Sequence, residues 1–321
     1  MFKIKKFKPI YFLIILLTLI SYKIVDDMLL TPYAEVRYEH QTSLLKGETY
    51  YPFQYRVLKP AMAYALQKVI YLVVKNSPKA NLYAYRTLAF FAFLFIYSCF
   101  YYFLKMFFSD LACMIGLLLL QIVIPLTING RYLEGDFHTF LFYTIGLILM
   151  FKSKDYYLPI VFGIGVLNRD QIIFLLVFYI AYLISQKRLF SKKSYIVITL
   201  SLIAYAIGYF VLRWKFGFKY QDHITKNVTN NITYILPVLQ IWAAEVFIFV
   251  ILCLKSFKKS NQFFKLSFIS LSVYISFFFF FGYLGELAKF LPAYLIFIPM
   301  SLEALTGEST NIKEEPFPKT I

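Results

Sequence analysis

The spacing of its apolar runs limits what this chain can become more than any other feature. Runs with few charges recur at about 84–104, 111–128, 137–151, 157–168, 171–186, 194–212, 235–254, 266–284 and 290–305. A further run at 9–24 follows the basic start MFKIKKFK, which brings the total to about ten. About 20 consecutive apolar residues cross a bilayer as a helix, the one single-segment form that bonds every backbone N–H and C=O internally once water is gone. A chain of 321 residues, 60% hydrophobic and only 16% charged, has room for ten such spans and little else. We therefore expect one membrane domain over residues 1–305, with chemistry confined to loops and helix ends.

Orientation follows from charge. The start has the n-region and h-region of a secretory signal, but no small-residue cleavage site follows. Asp26 and Asp27 come next, so the segment reads as an uncleaved anchor with its basic end inside. The run at 57–74 is nearly long enough to span, yet it carries Lys59, Pro60, Gln67 and Lys68. If it does not cross, the clusters Lys152/Lys154, Lys187/Arg188/Lys192/Lys193 and Lys255/Lys258/Lys259/Lys265 all share the side of the basic N-terminus. That is the positive-inside pattern, whereas a crossing would turn the clusters outward. The expected fold is all-α: a polytopic transmembrane helix bundle of about ten spans with both termini cytoplasmic. Its first outer loop is long, about 25–83, and contains an interfacial helix at 57–74 with its lysines toward water. The polar tail, 306–321, is expected to be disordered and cytoplasmic.

Several function classes fall away. The net charge of +16 comes largely from short clusters between apolar runs, which is the signature of cytoplasmic loops and not of a nucleic-acid surface. Cys99, Cys113 and Cys253 all lie inside apolar runs, with no spacing that suggests a disulfide framework. His40, His138 and His223 are dispersed and give no metal-binding spacing; a divalent cation stays open as a cofactor. Neither a phosphate-binding P-loop nor G-x-G-x-x-G is present, which argues against a nucleotide partner. The sequons at Asn227 and Asn231 matter only if the host glycosylates that side of the membrane.

Ionisable residues gather on the outer side of this topology. Asp26, Asp27, Glu35, Glu39, Glu48, Glu134, Asp136, Asp170, Asp222 and Glu286 fall there, ten of the 17 acids. Arg37, Arg56, Arg131, Arg169 and Lys289 accompany them. Four outer turns each pair a cation with an acid: Arg56 with the preceding acids, Arg131 with Glu134 and Asp136, Arg169 with Asp170, and Lys289 with Glu286. Such sets either form local salt bridges or hold an anionic phosphate in guanidinium forks beside a carboxylate base. Asp26 or Asp27, where the first span ends, is either a solvated helix end or a general base whose pKa is raised by apolar surroundings. Asp136 could simply cap the helix that follows it. Glu134, three residues after Arg131, would share a helical face with it. Glu245, near the middle of an apparent span, is either a buried hydrogen-bond anchor or a proton-coupling group.

Four strings, YYPFQYRVLKP at 50–60, GRYLEGDFHTF at 130–140, LNRDQIIF at 167–174 and GELAKFLP at 285–292, resemble poorly characterised bacterial polytopic proteins related to the C-type (GT-C) membrane glycosyltransferases. In that superfamily a first span leads into a long outer loop with interfacial helices and an acidic catalytic residue, and further spans follow. The resemblance implies Asp26 or Asp27 as base, with Arg56, Arg131 and Arg169 near a donor phosphate, and Glu286 and Lys289 at the far rim. Where an arginine would be expected near position 289, this chain has lysine.

The expected function is transfer of a sugar from a polyprenyl-phosphate donor to a glycan or lipid acceptor, on the outer face of a bacterial cytoplasmic membrane. Candidate catalytic residues are Asp26, Asp27, Glu134 and Asp136. Candidate substrate-binding residues are Arg56, Arg131, Arg169, Asp170, Glu286 and Lys289. No metal ligand is assigned. The competing readings are a transporter or flippase of lipid-linked glycans, for which Glu245 is the best argument, and a glycan polymerase or ligase.

Overall fold

In a computed structural model the described residues are 9–128, 130, 133–218 and 223–311, and every regular element among them is helical. Helix α1 (Pro9–Val25) ends in a single π-helical turn, Asp26–Leu30. Helix α2 (Ala34–Lys46) stops at Gly47, whose φ of 83° lets its N–H and that of Glu48 close the last turn. A 3-10 turn, Phe53–Tyr55, leads into α3 (Leu58–Val74). Helix α4 (Ser77–Lys105) begins at Asn76, whose side chain accepts the Lys79 N–H, with Pro78 in the first turn where no amide donor is missed.

Ser109 caps α5 (Asp110–Leu126), which is followed by α6 (Glu134–Phe151), α7 (Leu158–Asn168) and, after a 3-10 turn over Asp170–Phe174, α8 (Leu175–Ser185). Next come α9 (Lys192–Phe216), α10 (His223–Thr233), α11 (Ile235–Glu245) and α12 (Phe247–Ser256). Helix α13 (Gln262–Phe281) and α14 (Tyr294–Thr306), joined through a 3-10 segment at Leu287–Ala293, complete the bundle.

Four helical stretches are long and apolar enough to cross a membrane: α4, α9, α13 and Leu287–Thr306. Helices α11 and α12, bent by 56° at their junction, make a fifth if taken as one broken span. Length and composition thus give four or five crossings where the apolar runs suggest about ten. Helix α7, with 11 residues, is only about 16 Å long at 1.5 Å per residue. The outer surface is apolar: Leu200, Ile203, Ile207, Phe210 and Trp214 of α9 are all exposed. A face of that kind belongs in lipid, since soluble monomers rarely expose contiguous apolar patches of such size.

The bundle has two chemically different ends. At one, Phe107 packs edge to face on both Phe151 and Phe264, and the buried Asp155 accepts the Tyr179 hydroxyl and pairs with Arg188 and Lys193. Glu303 accepts Ser260 and Thr310 there, while Glu308 takes both the backbone N–H and the hydroxyl of Ser109. The tail expected to be free from Thr306 is therefore held in place as far as Asn311. The opposite end carries the termini of α2, α3, α6, α7 and α9 and most of the buried charge.

Three expectations change. The run 57–74 does form one helix, but Lys59 points inward and is 6% exposed, because its first turn packs over Tyr85 of α4; only Lys68 remains exposed. Glu245 lies at the C-terminal end of α11, where the broken span turns, instead of midway along a continuous helix. Asn231 is buried, donating to the carbonyls of Phe279 and Gly282 and accepting the Leu284 N–H, so its sequon is a structural joint between α10 and the turn after α13.

Candidate functional site

A small cleft with about 50 Å³ of free space opens at the charged end. Arg37 and His40 of α2, Arg56, Lys59 at the start of α3, Tyr85, Glu134 and Gly135 at the start of α6, and Asn168 and Arg169 at the end of α7 line it. Four cations and one acid thus face a common space.

Two of those cations are already matched. The Arg37 guanidinium lies 2.7 Å from Glu134 Oε1 through both Nε and Nη2, and donates to the carbonyls of Leu29 and Leu30, also at 2.7 Å. Those carbonyls are left over where the first helix ends, so one side chain caps a helix and neutralises an acid. Arg169 donates through Nη2 to Oδ2 of Asp136 at 2.7 Å, and Asp136 is fully buried. Asn168 fixes the junction by donating to the Gly135 carbonyl and to Thr139. Gly135 makes the approach possible, since a Cβ there would sit 3.1 Å from Arg169 Nε.

The other two are not matched. Arg56 lies over the Phe53 ring at 4.7 Å, and Lys59 Nζ lies 5.1 Å from the centre of the Tyr85 ring. Neither makes an ion pair among the described residues. Lys59 Nζ is buried with no hydrogen-bond partner. Burial, and secondarily the charge of Arg169, lower Arg56 to about 10, which leaves it charged at neutral pH. Burial lowers Lys59 to about 8 against the pull of Glu134. Burial likewise lowers His40.

The remaining residues singled out from sequence are placed as follows. Glu286 and Lys289 pair with each other at 2.6 Å, within electrostatic reach of Arg56 and Asp136. Asp170 pairs with Arg213 of α9, not with its neighbour Arg169. Arg213 stacks on Tyr209 and Tyr55, and the Tyr55 hydroxyl donates to the Gly217 carbonyl, so Asp170 helps anchor the turn that presents Arg56. Asp136 is not the cap of α6: its carboxylate turns to Arg169. Asp26 pairs with Arg86 and accepts the Thr31 hydroxyl, while Asp27 forms an exposed pair with Lys23. Neither of them lines the cleft. Arg131 lies outside the described residues.

Lys59 and Arg213 were not among the candidates, nor was Arg37 singled out from the other outer cations. A lysine beside a proline at the start of an amphipathic segment gives no sequence signal of inward orientation. Among the described residues no group of three or more His, Cys, Asp or Glu could hold a metal ion. Comparison with protein-family models, with curated proteins and with solved structures returns no match.

Proposed function

We propose that this chain is a membrane glycosyltransferase of the GT-C kind, acting on a polyprenyl-phosphate sugar at the outer face of a bacterial cytoplasmic membrane. The observation that carries the reading is the cleft: a carboxylate, Glu134, beside uncommitted cations, at the end of a lipid-facing bundle. In this reading the chain crosses about ten times, residues 25–83 form the outer loop, and α3 lies on the membrane surface. The partition of charge supports that topology, because the end opposite the cleft carries Lys152, Lys154, Arg188, Lys193, Lys255 and Lys259.

Of the four candidate bases only Glu134 lines the cleft. It takes the proton of the acceptor hydroxyl, the acceptor oxygen bonds to the anomeric carbon, and the carbon–oxygen bond to the lipid phosphate breaks with its electron pair left on phosphate. Arg56 and Arg169 stabilise the charge that develops. Asp136 holds Arg169 in position.

Membranes containing the protein should transfer labelled sugar from a polyprenyl-phosphate donor. Glu134→Gln should abolish transfer, and Asp26→Asn with Asp27→Asn should leave it largely intact. Undiminished transfer in Glu134→Gln would remove the base assignment, and no transfer from any such donor would remove the enzyme reading. Reporter fusions after Lys79 and after Lys193 should report opposite sides of the membrane.

One observation favours a flippase instead: Glu245 sits at the break of the bent span, where transporters place coupling groups. Loss of gradient-dependent lipid translocation on Glu245→Gln would support that alternative.

A further inference from the structure

Lys59 is one of the two lining cations that make no ion pair among the described residues. Its side chain is buried, it is aimed into the cleft, and Nζ makes no hydrogen bond. A buried ammonium without a partner is costly to keep. The Tyr85 ring, 5.1 Å from Nζ, offers a π face but no hydrogen-bond acceptor that would replace an ion pair.

Charge counting states what is missing. The lining cations Arg37, Arg56, Lys59 and Arg169 number four, and the acids Glu134 and Asp136, the latter directly behind Arg169, number two. The two acids are consumed by Arg37 and Arg169. Four minus two leaves a charge of +2, carried by Arg56 and Lys59.

We propose that Lys59 and Arg56 form a two-cation seat for a phosphate monoester dianion. The inference rests on the transferase reading only for the lipid to which that phosphate belongs. A sugar-phosphate lipid is a diester with one negative charge; when the anomeric carbon–oxygen bond breaks, its electron pair stays with phosphate and the released monoester carries two. The seat therefore matches the departing group better than the donor, and interactions that strengthen along the reaction are the ones that accelerate it. The same match makes the released lipid phosphate a competitive inhibitor.

The test uses the full chain in lipid nanodiscs and titration calorimetry with farnesyl phosphate, its methyl diester and inorganic phosphate. The monoester should bind at least about tenfold more tightly than the diester, as one charge-assisted contact is worth about 1.4 kcal/mol or more, a factor of ten. Lys59→Met should abolish that preference and raise the melting temperature, since it removes an unpaired buried charge; Lys59→Arg should keep the preference. Tighter binding of farnesyl phosphate than of inorganic phosphate assigns the dianion to a lipid, equal binding assigns it to free phosphate, and both support the seat. Unchanged monoester affinity in Lys59→Met and in Arg56→Met overturns it. Sugar transfer undiminished in Lys59→Met would overturn the seat and leave the transferase intact, whereas Lys59-dependent binding without any transfer keeps the seat and removes the transferase.

Discussion

Arg37 offers the most demanding test of how the charged end is held together. Its guanidinium makes four contacts at 2.7 Å, two to Glu134 and one each to the carbonyls of Leu29 and Leu30. Arg37→Met keeps an unbranched apolar stem but removes the guanidinium that lies 5.4 Å from the centre of the Tyr85 ring, and it strands a buried carboxylate and two acceptors. Breaking one side of a buried ion pair costs about 3–5 kcal/mol, so we expect a loss of about 4 kcal/mol. Glu134→Met in the same chain removes the stranded charge. The double variant should then fall only about 2 kcal/mol below wild type, the remainder reflecting the two carbonyls. Glu134→Met alone strands the buried guanidinium and should cost about 3 kcal/mol, so the cycle should show a coupling of about 5 kcal/mol, the sum of the single losses less that of the double variant. Denaturant unfolding in mixed micelles, followed by tryptophan fluorescence, measures all four corners. An Arg37→Met loss below about 1 kcal/mol, or additive single effects, would refute a buried pair that anchors this end.

Three further outcomes follow from the same geometry. Gly135→Ala should lower sugar transfer about three- to tenfold by displacing Arg169, while stability stays close to wild type because alanine is the better helix former by about 1 kcal/mol. Lys59, lowered to about 8 in the folded protein, should lose its charge between pH 7 and pH 9, so phosphate affinity in calorimetry should fall across that range. The folded chain then sheds this proton before the unfolded chain does, near 10.4, so the group's contribution to stability should rise between about pH 8 and 10.4, the opposite direction to binding. Asn231→Ala should lower the melting temperature, because three buried partners, two carbonyls and one N–H, lose their contact at a cost of about 2–4 kcal/mol in total.

What could be read from sequence was set by range. The apolar runs announce helices, and the run 57–74 forms one with nearly those limits. The Glu286–Lys289 pair was legible because both residues lie within one turn. Arg169 and Asp170 are adjacent, yet Arg169 is extended, with φ −158° and ψ 138°, so the two side chains leave the backbone on opposite sides and find partners 33 and 43 positions away. Neighbouring Asp26 and Asp27 diverge for the helical version of the same reason, since successive side chains point in different directions around the axis. The lining of the cleft depends on which helices touch, and no local pattern encodes that. Lys59 illustrates the limit: its orientation is decided by Tyr85, on the next helix.

The Arg37–Glu134 pair also sets a delay in biosynthesis. Its two members are 97 positions apart, and chains grow at about 5–20 residues per second, so Arg37 leaves the ribosome about 5–20 s before its acid exists. For that interval the N-terminal segments sit in the bilayer with an unmatched guanidinium and two open carbonyls. Assembly of this end must therefore wait for α6. A chain truncated before Glu134 is expected to insert but to be removed by membrane proteases within minutes, and pulse-chase labelling of nested truncations would place the onset of protection at the arrival of that one carboxylate.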